Sequence, residues 1–206
     1  MASGQEGAAL EECLGVISAQ LGRERTLDQL TEILPARLYL GNVDHACNDA
    51  LLREHGIAAV VNCCAGQHTP PEHLHAATLP SLDLCAVDSP HYDLVQPHTP
   101  AVLAFLEEHA GVPVLMHCVS GVNRSAALCI AYLVAAKAWP LLEAMRHVAE
   151  RRSPVLCRLE KVAQRKELRP DVAFLRQLVA FAAAPSAPLT ASPPDNGEPE
   201  NGAPPG

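Results

Sequence analysis

The chain has 206 residues, 49% of them hydrophobic, and carries a formal net charge of −8 at pH 7. This length accommodates one domain with a buried core and makes two domains the less expected arrangement. The acidic balance argues against a surface for nucleic acids or anionic membranes, because both need clustered Lys and Arg side chains. With no secretory signal and no apolar run long enough to span a membrane, the chain is predicted to be cytoplasmic, with the nucleus as a second compartment.

The cysteines and histidines give no sign of a disulfide framework or a metal site. Eight cysteines are scattered along the chain, and no Cys-x-x-Cys pair occurs among them. We therefore expect reduced thiols and no structural zinc site. One group of histidines, His68, His73 and His75, lies in a stretch with two prolines, for which we expect a solvated loop rather than a bound metal.

The N-terminal half begins with a helix and then alternates strand, helix and strand. Residues 1–31 include the run ALEECLGVISAQLG, which predicts an amphipathic helix ending at Gly22. We expect this N-terminal extension to pack on the domain or to bind a partner. A strand in RLYLG, a helix in NDALLREHG between Asn48 as N-cap and Gly56 as stop, and a strand in IAAVVN follow.

A second unit of helix and strand precedes three more helices. The run TPAVLAFLEEHAG predicts a helix that starts at Pro100 and ends at Gly111, before the strand VPVLMH. Further helices are predicted at about 124–138, after Pro140 and beside Pro170. This alternation predicts an α/β domain over residues 32–183, with a mostly parallel central sheet flanked by helices on both faces.

The last segment, residues 184–206, is rich in proline and has no aromatic residue. Such a composition cannot bury enough apolar surface to fold, so we expect a disordered tail. This tail and the N-terminal helix are the two segments through which we expect partner binding.

The central motif is HCVSGVNRS, in which Cys118 and Arg124 are separated by five residues. Spacing alone is weak evidence, because Cys47 and Arg53 share it by chance. Only the first pair follows a predicted strand, so that Cys118 lies at the carboxyl edge of the sheet, where α/β folds bind ligands.

The loop after Cys118 has the features of a phosphate-binding site. Gly121 can adopt backbone conformations that other residues resist, and successive N–H groups at a helix N-terminus can converge on one anion. The guanidinium of Arg124 can bind two phosphate oxygens at once. The predicted phosphate-binding residues are Val119, Ser120, Gly121, Val122, Asn123 and Arg124.

Catalytic roles follow from this environment. A helix N-terminus and a nearby cation favour thiolate over thiol, which predicts Cys118 as a nucleophile that attacks phosphorus. Ser125 is expected to hydrogen-bond the sulfur, and His117 to orient the loop. The alternative for Cys118 is a buried structural cysteine at a strand end.

A leaving oxygen also needs a proton, which a carboxylic acid on the same sheet edge can supply. The stretch LDLCAVDSPHYDLV offers Asp83, Asp88 and Asp93. Asp83 lies within a strand-like run and Asp93 suits a helix or turn cap. Asp88, in a loop before Ser-Pro, is the predicted general acid.

These segments resemble the cysteine-dependent dual-specificity protein phosphatases, in particular their small atypical members. HCVSGVNRSAALCIAYLV, ILPARLYLGN, LLREHGIAAVVN, VDSPHYDL and PDVAFLRQL occur in the family's order, over about residues 33–181. The resemblance implies the family's fold, no metal or organic cofactor, and phosphorylated proteins as substrates, dephosphorylated at tyrosine and at serine or threonine. It implies the roles given above for Cys118, Arg124, Ser125 and Asp88.

Three departures from the family pattern stand out. Asn123 replaces a common serine, and the loop lacks the lysines typical of phosphoinositide-cleaving relatives, which favours protein substrates. An extra segment at about 156–168, LCRLEKVAQRKEL, is expected to form a charged helix or loop. Two alternatives remain open: a catalytically weak phosphate-binding interaction module, and a phosphoinositide or RNA-end phosphatase.

The resemblance also suggests a redox partner for Cys118. In VVNCCAG, Cys64 matches the position at which tensin-like lipid phosphatases carry a cysteine that resolves oxidation. Cys85 is the competing candidate, and inert packing of Cys63 and Cys64 at a strand end is the structural alternative.

Overall fold

A five-stranded sheet forms the centre of the protein, seen in a computed structural model that describes residues 2–67, 78–162 and 165–184. Its strands are β1 (Thr31–Leu34), β2 (Leu38–Gly41), β3 (Ala59–Asn62), β4 (Ser81–Asp83) and β5 (Val114–His117). Their order in the sheet is β1-β2-β5-β3-β4, and β1 alone runs antiparallel to its neighbour. The predicted mostly parallel α/β sheet is therefore confirmed.

Seven helices cover the two faces of this sheet in the part of the chain that the structure describes. They are α1 (Ala2–Ser18), α2 (Val43–Ala46), α3 (Asp49–Glu54), α4 (Val95–Glu108), α5 (Arg124–Lys137), α6 (Leu141–Arg151) and α7 (Val172–Ala183). Successive strand residues point to opposite faces. Tyr39, Val60 and Leu115 pack with Ala46 of α2 and Leu52 of α3 in a small cluster, while the main core forms against α1 and α4–α7 on the other face.

The N-terminal helix packs on the domain. Cys13 and Ile17 of α1 are fully buried in the main core, and α1 contacts α6 and α7. The helix ends at Ser18, and the chain then turns through Gly22, whose φ of 96° lies in the left-handed region that favours glycine.

Helix α4 begins at Val95, so the predicted start at Pro100 is wrong. Pro100 lies inside the helix, and the first amides, of Leu94 and Val95, donate to the side-chain oxygen of Gln177 in α7 at 2.8 and 3.1 Å. Since this cap comes from a distant helix, no local sequence signal marks it. The hydroxyl of Thr99 donates to the Val95 carbonyl at 2.6 Å and adds a bond in the first turn.

The extra segment forms neither the expected helix nor an irregular loop. It contains two antiparallel strands, β6 (Cys157–Val162) and β7 (Arg165–Pro170), which pair with each other and form a separate two-stranded sheet. The register places Leu159 opposite Leu168, and Cys157 is buried in the main core. Neither strand alternates strictly between apolar and charged residues, and Leu159 is 63% exposed, so no period-two pattern marks this hairpin in the sequence.

The predicted disordered tail beyond residue 184 and the cluster of His68, His73 and His75 lie outside the described residues. Within the described ranges, no group of three His, Cys, Asp or Glu side chains is arranged to hold a metal ion. None of the helices in these ranges combines the length and the apolarity that crossing a membrane requires.

Candidate active site

The loop of residues 118–123 joins β5 to α5 at the carboxyl edge of the parallel strands. Gly121 has a φ of 67°, and a Cβ added there would lie 2.3 Å from the Gly41 carbonyl oxygen and 2.5 Å from the Arg152 guanidinium. Both the backbone conformation and the space therefore require glycine at this position.

The carbonyl groups of this loop are bound on the side that faces the protein. The Val119 carbonyl accepts from the Val43 N–H at 3.2 Å, and the Val122 carbonyl accepts from the Leu156 N–H at 2.8 Å. The Gly121 carbonyl accepts from Arg152 at 2.8 Å. Among the described residues, the loop's own N–H groups have no such protein acceptors. These N–H groups therefore remain available to bind an anion, as successive N–H groups in such a turn can do.

Arg152 is a buried cation behind this loop. Its side chain is fully buried and donates to carbonyl groups of Gly121 and Gln29, and to the Thr31 hydroxyl at 3.1 Å. Burial lowers the pKa of Arg152 to about 10, and the charge of nearby Cys118 acts in the opposite direction. The guanidinium thus remains charged at neutral pH and adds positive potential behind the loop.

Cys118 lies at the base of the loop with no exposed surface. The Ser125 hydroxyl donates to the Cys118 sulfur at 3.2 Å, which is the contact expected of Ser125. His117, the last residue of β5, is 4% exposed, and burial lowers its pKa to about 4. Its ring is therefore neutral at physiological pH, which suits a positioning role better than a charged one.

Arg124 opens α5 and is held by the loops that follow β3 and β4. Its Nη1 donates to the Gln67 side chain at 2.8 Å and to the Ala86 carbonyl at 2.9 Å. Its Nε is buried without a hydrogen-bond partner among the described residues. A buried donor without a partner is costly, and a phosphate oxygen would satisfy it.

Of the three candidate acids, Asp88 contacts this loop directly. Its Oδ2 is 3.9 Å from Arg124 Nε, and its Oδ1 accepts from Asn123 at 3.4 Å. Asp83 instead accepts from Asn62 at 3.0 Å at the end of β4. A carboxyl group close to both the arginine and the loop is placed to reach the ester oxygen of a bound phosphate.

Comparison with known proteins agrees with this geometry. The family model for the dual specificity phosphatase catalytic domain matches residues 38–184. The chain belongs to the dual specificity phosphatase family. It is 32% identical over 159 residues to human dual specificity protein phosphatase 13B, covering 74% of this chain and 72% of the relative. The resemblance inferred from the motif is confirmed.

Two further relatives show different kinds of similarity. One is a solved structure with a similar fold, and the other is a longer protein of which this chain spans only a part. The crystal structure of human DUSP28 superposes with a TM-score of 0.60 at 26% identity, covering 74% of this chain and 92% of that one. Dual specificity protein phosphatase Mpk3 of Drosophila melanogaster is 30% identical over 152 residues, which are 73% of this chain. The chain spans only 33% of the length of Mpk3.

In this dual specificity phosphatase domain, the candidate redox cysteines differ in environment. Cys64 is buried, and its pKa is raised to about 11, first by burial and then by the neighbouring Cys118. Its thiol donates to Asn62 Oδ1 at 3.3 Å. Cys85 is exposed. The redox role of Cys64 stays a prediction.

Three residues at the site of this family member are not marked by any motif or periodicity in the sequence. Gln67 and Arg152 contact the arginine and the loop from distant segments, and Arg158 of β6 donates to Asp88 Oδ1 at 2.9 Å. None of them falls in the signature motif or at a periodic position that would mark it.

A cleft of about 380 Å³ lies beside the phosphate loop of this phosphatase domain rather than over Cys118. Ser120 and Val122 of the loop form one wall, and the hairpin of β6 and β7 forms another. Arg25 and Leu27, together with Asp88 and Pro154, also line the cleft. The N-terminal extension and the extra segment thus both border the site.

Proposed function

We propose that this domain is a protein phosphatase that works through a cysteinyl-phosphate intermediate. The observation that carries the proposal is the loop itself, whose carbonyl groups accept from Val43, Leu156 and Arg152, while its N–H groups donate to no acceptor among the described residues. Such a loop complements the phosphate of a monoester and the charge that develops on its oxygens during transfer.

The reaction proceeds in two displacements. The Cys118 thiolate attacks phosphorus, a sulfur–phosphorus bond forms, and the bond to the ester oxygen breaks while Asp88 gives its proton to that oxygen. Water then attacks the phosphocysteine, Asp88 takes the water's proton, and the sulfur leaves as thiolate. The Ser125 hydroxyl, 3.2 Å from the sulfur, stabilises that leaving group. For His117, the buried residue before Cys118, we propose a role in orienting the start of the loop.

The substrates we propose are proteins phosphorylated on tyrosine and on serine or threonine. Family membership supports protein phosphatase activity. The net charge of −8 and a signature loop without lysine disfavour lipid headgroups and RNA ends. The deciding experiment measures phosphate release from phosphotyrosine and phosphothreonine peptides, phosphoinositides and triphosphorylated RNA. We expect turnover of both peptides, and turnover of a phosphoinositide or the RNA alone would reject the proposal.

We further propose Cys64 as the redox partner of Cys118. Peroxide would oxidise the Cys118 thiolate to a sulfenic acid and be reduced to water. The Cys64 thiol would then attack that sulfur, forming a disulfide and releasing water, and an added dithiol would restore activity. Mapping of oxidised thiols should find the Cys64–Cys118 pair. A Cys64→Ser variant that is inactivated and rescued like the parent would rule Cys64 out and leave exposed Cys85 as the candidate.

A further inference from the structure

One side chain of the hairpin of β6 and β7, Arg158, contacts a proposed catalytic residue. Arg158 Nη2 donates to Asp88 Oδ1 at 2.9 Å, and the same guanidinium binds Asp171 through Nε at 2.9 Å. We propose that Arg158 is a positioning residue, which holds the Asp88 carboxyl group in the orientation for proton transfer. This inference rests on the proposed function, in which Asp88 is the general acid.

The two oxygens of Asp88 have different surroundings. Arg158 and Asn123 both donate to Oδ1, at 2.9 and 3.4 Å. Oδ2 instead faces the Arg124 Nε at 3.9 Å, on the side where the phosphate would bind. Fixing Oδ1 therefore fixes the side-chain rotamer and leaves Oδ2 as the oxygen that carries the proton to the ester.

Arg158 is itself held in place, as a positioning residue must be. Its partner Asp171 is 2% exposed and caps α7, accepting from the Phe174 N–H at 3.3 Å. The guanidinium also lies 5.9 Å from the centroid of the Phe174 ring. Burial lowers the pKa of Arg158, but the bonds to Asp171 and Asp88 outweigh this and raise it. The arginine thus links the acid to the start of the last helix.

Apart from the bond to Asp171, pairing across the two strands of the hairpin does not favour a cation at this position. Arg158 lies directly opposite Arg169, and Glu160 lies opposite Glu167. Like charges at opposite positions destabilise a two-stranded sheet, which is marginal on its own. Arg169 is exposed and pairs with Glu167 of its own strand at 2.6 Å. Of these two arginines, only Arg158 contacts Asp88. Arg169 therefore serves as a matched control on the same hairpin.

The test compares a poor leaving group, phenyl phosphate, with a good one, p-nitrophenyl phosphate. The variants are Arg158→Met, Asp88→Asn, the two combined, and the control Arg169→Met. We expect Arg158→Met to lower kcat on phenyl phosphate about tenfold and to change kcat on p-nitrophenyl phosphate less than about threefold, because only the poor leaving group needs the proton. In the Asp88→Asn background it should add nothing, and Arg169→Met should behave like the parent.

Several outcomes would overturn the proposal. Equal losses on both substrates, or a further loss in the Asp88→Asn background, would make Arg158 a purely structural residue. If Asp88→Asn lowers kcat equally on both substrates, Asp88 is not the general acid, and Arg158 then has no acid to position. Failure of the phosphatase proposal itself would instead appear as absent turnover in the parent protein.

Arg158→Lys covers the case in which the methionine variant does not fold. Lysine keeps the charge and the apolar stem but cannot bind Asp88 and Asp171 through one rigid fork. We expect an intermediate loss on phenyl phosphate only. A lysine variant with the parent's values on both substrates would contradict the forked arrangement.

Discussion

In two segments of this chain a cysteine is followed, after five intervening residues, by an arginine, and the surroundings of the two pairs differ. Cys118 and Arg124 are buried at the sheet edge, with 0% and 3% exposure. Cys47 is half-buried at the end of the short helix α2, and Arg53 is 69% exposed on α3, with a side-chain contact to Asp49 at 3.9 Å.

The difference shows that the surrounding fold, rather than the spacing, makes the site. Around Cys118, the Gly121 carbonyl is bound by Arg152 and the sulfur by Ser125. At Cys47, burial and then the negative charge of Asp44 raise the thiol pKa, which disfavours the thiolate. The loop at Cys118 thus differs from the segment at Cys47 in having donors, such as Arg152, that bind its carbonyl groups.

The comparison is tested most directly at the two cysteines. Cys118→Ser should lower kcat by at least about 10⁴-fold, since a hydroxyl is a much weaker nucleophile than a thiolate. Cys47→Ser should leave kcat within about twofold of the parent. Initial rates on a phosphotyrosine peptide give both values, and circular dichroism checks the fold. An active Cys118→Ser protein, with Cys47→Ser inactive, would reverse the assignment.

The two arginines should differ by a smaller factor. Arg124→Lys keeps the charge but loses the planar fork, and should lower kcat/KM about 10²-fold. Arg53→Lys should have no measurable effect on turnover. Melting temperatures should accompany the kinetics, because Arg124 also binds Gln67 and the Ala86 carbonyl. Similar kinetics for the two variants would show that Arg124 does not bind the phosphate.

A glycine distinguishes the loop at Cys118, and its role can be isolated. Gly121→Ala should destabilise the fold by about 3 kcal/mol, because strain at positive φ adds to the clash with the Gly41 carbonyl. Gly66→Ala is the control: its φ is 76°, yet nothing lies within 4 Å of an added Cβ. Urea unfolding should show a loss of only about 1 kcal/mol there. Equal losses would mean that Gly121 is needed for its conformation alone.

The smallest effect concerns His117, which precedes Cys118. Its folded-state pKa of about 4 lies below the unfolded value near 6.5, so protonation favours the unfolded chain as pH falls. Its stabilising contribution is present above about pH 6.5 and should fall by about 2 kcal/mol between pH 7 and pH 5. In urea unfolding, His117→Asn should lose less free energy of unfolding than the parent between pH 7 and pH 5. The control His91→Asn, at an exposed histidine, should lose as much as the parent. An unchanged pH dependence in His117→Asn would contradict its burial as a neutral ring.

The sequence sufficed to predict the three adjacent parallel strands β2, β3 and β5, of which β5 leads to Cys118, and the helix that starts at Arg124, because each depends on local patterns. Arg152 and Gln67 could not be predicted, since each reaches the site from a distant segment without a spacing rule. The start of α4 was misplaced for the same reason, because Gln177 of α7 caps it. In the hairpin, adjacent charged residues such as Glu160 and Lys161 interrupt any alternation, so no strand pattern stands out in the sequence.

The pairing of Gln20 with Val155 has a consequence for the order in which the protein folds during synthesis. The side chain of Gln20 accepts from the Val155 N–H at 2.9 Å and donates to its carbonyl at 2.7 Å, and the next residue, Leu156, binds the Val122 carbonyl behind the phosphate loop. The turn that follows the first helix therefore gains this partner only when a residue 135 positions later has been synthesised. Contacts so far apart in sequence form late and slowly. A ribosome-bound chain that already carries the whole signature motif should still lack a formed phosphate loop until the segment around residue 155 has emerged.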